Sequence, residues 1–393
     1  MKKIKLLIQQ ESKYDLLIWD TKDLYTFKES LSNYNWKALN CRNITYISPK
    51  FLFKSVITFL IKYKNLKYCE SRHNKSISPR SFKKKIEYHT NFLRKTISSI
   101  LTISAIFHYK PKLLISRMDN SKCFMFIDAL MHEYMPIITI QNGNRWHSDK
   151  LLTIKKFKHF YTIPSFHSCF AALSLIDIDM YKKNNWKCYE YHNIGSVSAD
   201  SRRISAQKTI KYDICIVASS KSNRLSDIKL SELINNYHTY CSPKIVVALK
   251  RAENEPDFSE HYNGLNSLYK NCAELIPRGS SGANLAMSSK VVTGTFTTAL
   301  RELLGMGKKI YPINFDQDEL NFYWNGMNIN HKPTQIEFNN YMDKLLTMDD
   351  EIYTKEYSSI IKYIGAFQED QRPLINLKNL IDSKILEKIE PRI

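Results

Sequence analysis

Apolar residues along this chain recur in two rhythms. Short aliphatic runs, KIKLLIQ (3–9), NITYI (43–47), KLLIS (112–116) and PIITIQ (136–141), predict strands. Between them the apolar positions fall at helical spacing. In FLFKSVITFLIKYKNLKY (51–68), Phe51, Phe53, Val56, Ile57, Leu60 and Ile61 lie near one another on a helix, and a second helix is predicted from about 87 to 107. KHFYTI (158–163) then reads as a strand, SFHSCFAALSLIDIDMYKKNNW (165–186) as a helical stretch and YEYHNIG (189–195) as a strand.

From Val197 to Lys211 the chain turns polar and loses its period, which predicts a linker. The rhythm restarts with the strand YDICIVAS (212–219) and the helix LSDIKLSELINNYH (225–238). The strand KIVVALK (244–250) and a helix around HYNGLNSLYKNC (261–272) follow. The strand KVVTG (290–294), the helix TTALRELLGMG (297–307) and the strand KIYPINF (309–315) complete the series.

Alternation of this kind predicts parallel sheets with helices on both faces. Two successive alternating halves predict an α/β protein with two Rossmann-like domains, residues 1–196 and 212–365, joined by the linker 197–211 and followed by C-terminal helices at 366–393. Open sheets of this sort bind ligands at the carboxyl ends of their strands, so the expected site is a cleft between the two sheets.

Composition agrees with two domains: 393 residues with 43% hydrophobic content suffice for two cores. The 8 cysteines make no CxxC and no zinc-finger spacing, which suggests buried thiols in a reducing compartment. The opening MKKIKLLIQQESKYDLLIWD has too short an apolar run for a signal peptide, and no stretch is long enough to span a bilayer. A cytoplasmic setting is expected.

The net charge of +20 sits unevenly, with 21 Lys and Arg against 7 Asp and Glu in residues 1–100, a difference of +14. Such a field attracts a polyanion: nucleic acid, anionic lipid headgroups or a phosphorylated glycolipid. The lysine-flanked segment 51–68 suits a helix lying on a membrane surface, or an amphipathic helix packed on its own domain with a solvated lysine face. Lys83, Lys84 and Lys85 could meet phosphates or simply face solvent. Tyr14, Trp19, Tyr25, Phe27, Tyr34 and Trp36 could stack bases, yet no RRM, KH, zinc-finger or helix-turn-helix pattern accompanies them, so no nucleic-acid partner is expected.

Candidate chemistry collects at the predicted strand ends. In VVTGTFTTALRE, Gly294 ends a strand and permits close backbone approach, while Thr297 or Thr298 can cap the next helix and leave its first amides free for an anion. Glu302, one turn on, could accept hydrogen bonds from ribose or sugar hydroxyls. LISRMDNSK ends a first-domain strand with Asp119 and Asn120; PIITIQNGNRWH ends another with Gln141, Asn142, Gly143, Asn144, Arg145 and His147; KIVVALKRAE ends a second-domain strand with Lys250 and Arg251. Each has a plain alternative as a turn, a helix cap or a surface pair. Asp177 and Asp179 form a D-x-D inside a helical stretch, which reads as a solvated face and not as a metal site. PRGSSGAN (277–284) lacks the GK[ST] of a phosphate loop and reads as a cleft rim or a cap.

In this order and spacing, LISRMDNSKCF, ITIQNGNRW, YHNIGSVSADS, YDICIVASS and SSKVVTGTFTTALRELLGMGKKIYPINF resemble the bacterial surface-carbohydrate transferases. These are glycosyltransferases of the two-domain GT-B class, similar in layout to capsule and lipopolysaccharide Kdo transferases and more remotely to CDP-glycerol glycerophosphotransferases. The likeness covers roughly residues 85–315. It implies an enzyme that takes a sugar from a nucleotide donor held by the second domain and passes it to a glycan or glycolipid held by the first. A CMP-activated ulosonic acid is favoured over an NDP-hexose as donor, with Arg251 or Arg145 available to its carboxylate. Neither a cofactor nor a metal is implied, because helix amides and basic side chains neutralise the leaving phosphate.

The implied donor site is Ser219, Ser220, Lys250, Arg251, Gly294, Thr295, Thr297, Thr298 and Glu302. Asn120, Gln141, Asn142, Gly143 and Arg145 face it from the acceptor side, and Asp119, or in second place His147, is the base. The turn is Gly-Thr-Phe-Thr-Thr where the glycerophosphotransferases favour a Ser-Ser pair after acidic residues, which counts against that chemistry. A scaffold of a glycan-assembly complex that has lost catalysis, and a basic nucleic-acid-binding protein, are the competing readings.

Overall fold

The computed structural model describes residues 14–19, 31–39, 49–74, 82–117, 122–141, 166–183, 187–203, 209–218, 225–249, 253–255, 257–277, 282–295, 297–315, 324, 327, 329–367 and 372–386. Two parallel sheets organise them. The first has six strands, β1 (Tyr14–Trp19), β2 (Trp36–Leu39), β3 (Pro111–Ser116), β4 (Ile137–Ile140), β5 (Phe166–Ala172) and β6 (Lys187–Asn193), in the order β2-β1-β3-β4-β5-β6. The second has five, β7 (Tyr212–Val217), β8 (Ile245–Ala248), β9 (Ala273–Ile276), β10 (Ser289–Gly294) and β11 (Lys309–Pro312), in the order β11-β10-β7-β8-β9.

Strands covered on both faces need apolar residues at both parities, and β1 shows the division. Leu17 and Trp19 join a core with Leu114 of β3 and with Phe59, Ile103 and Phe124, contributed by the helices α1 (Pro49–Asn74), α2 (Phe82–Tyr109) and α3 (Lys122–Met131). Leu16 and Ile18 face the other way, onto Leu113, Ile115, Ile138 and Ile140.

The helices that follow are α4 (Leu175–Lys183), α5 (Val197–Arg203), α6 (Leu225–Cys241), α7 (Phe258–Tyr269), α8 (Gly282–Met287), α9 (Thr298–Gly305), α10 (Gln335–Thr347), α11 (Asp350–Glu356), α12 (Ser358–Ile364) and α13 (Pro373–Leu386). The last of these returns to the first domain. Leu374, Leu377, Leu380 and Ile381 of α13, spaced at helical intervals, cover the face of the first sheet that Leu16 and Ile18 present. Asp200, buried in α5, fixes where α13 begins: it accepts from Arg372 Nε at 3.2 Å and from the Leu374 amide at 3.0 Å. A carboxylate at a helix N-terminus satisfies both an open amide and the helix dipole.

The second core gathers Ile214, Ile216, Val246, Val247, Val291 and Val292 from its strands with Leu230, Ile234, Leu300, Leu304, Phe338 and Met342 from its helices. No described helix is long and apolar enough to cross a membrane.

Several predicted elements are reassigned. The stretch 165–186 is not helical throughout: Phe166–Ala172 forms the wholly buried strand β5, and only Leu175–Lys183 is helix. A short run buried on both faces has no two-residue alternation, so its period cannot separate strand from helix. Part of the predicted linker, Val197–Arg203, is the helix α5, with Val197, Ser198, Ala199 and Asp200 buried. Strands β1, β2 and β9 had no predicted counterpart, while KIKLLIQ, NITYI and KHFYTI lie outside the described residues.

Candidate functional site

In the second sheet the strand order reverses between β7 and β10, because the chain lays β8 and β9 on one side of β7 and then crosses to place β10 and β11 on the other. The segments leaving the carboxyl ends of β7 and β10 therefore diverge, and the opening between them is where such sheets take a ligand. The Gly294–Thr298 turn lies at that switch point.

Gly294 pairs with Val217 across the β7 and β10 strands. A Cβ at Gly294 would lie 2.7 Å from the Val217 carbonyl oxygen, so glycine is required by close backbone approach. Thr295 is buried, its hydroxyl 3.2 Å from Oδ1 of Asp227 in the first turn of α6, which ties the turn to the helix after β7. Thr297 has extended backbone (φ −144, ψ 146) and caps α9, its Oγ1 accepting from the Ala299 amide at 3.3 Å. Thr298 is the first helical residue, and both it and Thr297 are half-buried at the turn. The start of α9 thus offers amide hydrogens at the switch point.

The body of α9 reaches the first domain. Arg301 has no solvent exposure, and its guanidinium donates through Nη2 to Asp177 Oδ2 at 2.6 Å, through Nη1 to Asp177 Oδ1 at 3.3 Å and through Nε to the Ile364 carbonyl at 2.9 Å. Nη2 also donates to Ser174 Oγ. Asp177 is equally buried and takes two further donors, Gln141 Nε2 at 2.9 Å and Ser174 Oγ at 2.9 Å. Gln141 completes the network by accepting the Leu173 amide on Oε1 at 3.0 Å. Two charges taken out of water this completely are stable only when geometry and hydrogen bonds are both supplied, and here they are.

The next residue repeats the attachment. Glu302 is 8% exposed and accepts from Ser196 Oγ at 2.6 Å. Ser196 in turn donates its amide to the Ala366 carbonyl at 2.5 Å, and the Ala366 amide donates to the Arg301 carbonyl at 3.1 Å. Residues 194–197, which follow β6, and residues 364–367, which follow α12, thus run together beside α9. Gly305 lets α9 sit against the second of them, since a Cβ there would fall 2.1 Å from the Phe367 carbonyl oxygen.

This arrangement corrects one sequence expectation and gives partners to two candidate site residues. Asp177 is not on a solvated helix face but inside an interdomain ion pair; Asp179, two residues on, is exposed and accepts from Tyr363 Oη at 2.7 Å. The pair shares a helix but not a site. Gln141 faces α9, its side-chain amide donating to Asp177 and accepting from the Leu173 amide. Glu302 accepts from Ser196 where α9 packs against the first domain.

Asp119, Asn120, Asn142, Gly143, Arg145, His147, Ser219, Ser220, Lys250 and Arg251 lie outside the described residues. In sequence they directly extend the carboxyl ends of β3, β4, β7 and β8.

Ser174, Ser196 and Arg301 were missed. One signal existed for Arg301: the eight-residue helix connects two adjacent buried strands, and Leu300 through Gly305 are all buried, so its charges had no solvated face to occupy. Among the described residues, one group could hold a metal, Cys169, Glu190 and His192 on β5 and β6. There the Lys384 ammonium of α13 already pairs with Glu190.

No family model matches the chain, and no curated protein matches it in sequence. Its likeness to solved structures extends over nearly the whole length. The Staphylococcus aureus MnaA–UDP complex is similar with a TM-score of 0.54 at 9% identity, covering 95% of this chain and 98% of that one. UDP-GlcNAc 2-epimerase from Methanocaldococcus jannaschii is similar with a TM-score of 0.52 at 9% identity, covering 93% and 98%. The wall teichoic acid polymerase TagF is similar with a TM-score of 0.50 at 11% identity, covering 99% and 94%. The architecture is therefore GT-B-like: two parallel-sheet α/β domains, with the C-terminal helix returning to the first.

Proposed function

We propose that this protein is a glycosyltransferase of the GT-B type, moving a sugar from a nucleotide-activated donor to a lipopolysaccharide or capsule glycan. The observation that carries the reading is the Gly294–Thr298 turn, which starts a capped helix at the switch point of the second sheet while the same helix is fastened to the first domain.

In this reading the donor phosphates lie at the start of α9, against the amides that Thr297 and Thr298 open, with Ser219, Ser220, Lys250 and Arg251 completing the grip. Asn120, Asn142, Gly143 and Arg145 hold the acceptor. Asp119, or in its place His147, takes the proton of the acceptor hydroxyl as its oxygen bonds to the anomeric carbon; the bond from that carbon to the phosphate oxygen breaks, and its electron pair leaves with the nucleotide. The chemistry asks for no metal, since amides and cations carry the phosphate charge. A CMP-ulosonic acid is the favoured donor and an NDP-hexose the alternative. The enzyme would work at the inner face of the cytoplasmic membrane, where such acceptors are assembled.

The similarity of MnaA and TagF, whose names speak of UDP and of a teichoic acid polymer, supports a nucleotide-activated substrate. Calorimetry with CMP, UDP and GDP, followed by incubation with a panel of nucleotide sugars, tests the proposal. Binding of one nucleotide and release of it from its sugar is expected. Silence across the panel, or an epimerised donor with no transfer, would overturn it.

A further inference from the structure

Over residues 49–61 the helix α1 sends Phe59 into the core but turns Leu52, Phe53, Ile57, Leu60 and Ile61 outward. On the side packed along α2 and α3 it buries Ser55 and Thr58 beside Phe59. Their hydroxyls return to their own helix, Ser55 Oγ to the Phe51 carbonyl at 2.7 Å and Thr58 Oγ1 to the Lys54 carbonyl at 2.9 Å, which is what makes their burial affordable. The neighbouring α2 answers in kind, burying Ser99 and Thr102.

The opposite side of this stretch is apolar and faces outward. Phe53 is 68% exposed, Leu60 67% and Ile61 62%, with Ile57 between them. These positions, at i, i+4, i+7 and i+8 from Phe53, form one stripe along the helix. A folded chain normally orders such a helix the other way round, and a contiguous exposed apolar surface marks an interaction site.

Charge selects the partner. From Ser30 to Cys69 the chain carries seven Lys and Arg and no Asp or Glu, and Lys50 and Lys54 lie on the described part of α1. A second copy of the chain would bring an equally positive surface against this one. The surface that is apolar within and anionic at its rim is a lipid interface. No described helix is apolar enough to span, so the fit is to a helix lying in the headgroup plane.

We propose that α1 docks the protein on an anionic bilayer by inserting Phe53, Leu60 and Ile61 below the phosphates while the neighbouring lysines meet them. This names the surface behind the membrane partner in the function proposed above, and its test uses neither donor nor acceptor, so either can fail without the other.

The test is cosedimentation of the full chain with phosphatidylcholine vesicles, with and without phosphatidylglycerol, at low and high salt. Binding to the phosphatidylglycerol vesicles alone, weakened by salt, is expected. The variant Phe53→Ser/Leu60→Ser/Ile61→Ser should keep its thermal transition, because these side chains make little of the core, and bind at least ~100-fold more weakly. Should that variant not fold, Phe53→Trp decides: its added emission should shift to the blue with phosphatidylglycerol vesicles. Absence of vesicle binding by the parent chain, equal binding by a folded triple variant, an unshifted emission, or a solution dimer that the triple variant dissolves would each overturn the proposal.

Discussion

Arg301 and Asp177 stand 124 positions apart in sequence and meet with 2.6 Å between Nη2 and Oδ2, neither of them touched by solvent. One belongs to the helix that begins at the threonine turn, the other to the helix after β5. The start of α9 is thereby positioned relative to both sheets and not only to its own.

Removing one partner strands the other as a buried charge. Arg301→Met should destabilise the protein by about 3–5 kcal/mol in urea unfolding, far beyond the cost of a surface pair. Combining it with Asp177→Asn should recover a good part of that loss, because no buried charge is then left unmatched. Additive losses in the double-mutant cycle would show that the two do not interact.

Gly294→Ala puts a methyl group where the Val217 carbonyl oxygen already lies, 2.7 Å away. The β10 and β7 strands must part at their carboxyl ends. A loss of roughly 1–3 kcal/mol is expected, read as a lower denaturation midpoint with an unchanged slope.

Thr297 separates capping from ligand binding. Thr297→Ala removes the acceptor for the Ala299 amide and should cost about 1 kcal/mol of stability. Thr297→Asp keeps a good cap and suits the helix dipole, yet sets a negative charge where the proposed donor phosphates would lie. Calorimetry should find its stability preserved and its nucleotide affinity lost. Retained affinity in Thr297→Asp would move the phosphates away from this turn.

Burial pushes the Asp128 carboxyl up to about 7, against the opposing pull of the hydrogen bond from Ser168, whose amide lies 3.0 Å from Oδ2. The folded chain therefore keeps a proton that the unfolded chain releases near the ordinary carboxylate value. The stability this contributes is fully present in acid below that value and is lost as pH rises through about 7. Asp128→Asn should flatten this part of the stability profile and leave the variant more stable than the parent above about pH 8, measured by denaturant midpoints across the range.

The second sheet was almost wholly legible. YDICIVAS, KIVVALK, KVVTG and KIYPINF each became a strand, since each is a short apolar run bounded by polar residues, and the helices between them showed their period. The first sheet was harder to read for a physical reason. β5, buried on both faces, carries no alternation, and it flows into α4 with one short turn between them, so the two merged into a single apolar stretch. The turn at Gly294–Thr298 was legible as a cap because capping depends on residues within one turn of each other.

Period, burial pattern and capping are local properties, and they sufficed for the two-domain α/β architecture, the parallel sheets and the threonine cap. The tertiary structure alone decided that Asp177 neutralises Arg301, that Glu302 serves Ser196, that α13 closes the first sheet and that α1 turns its apolar side outward. A charge or an apolar stripe acquires its partner only when distant segments are brought together, as residues 194–200 are with α9 and α13.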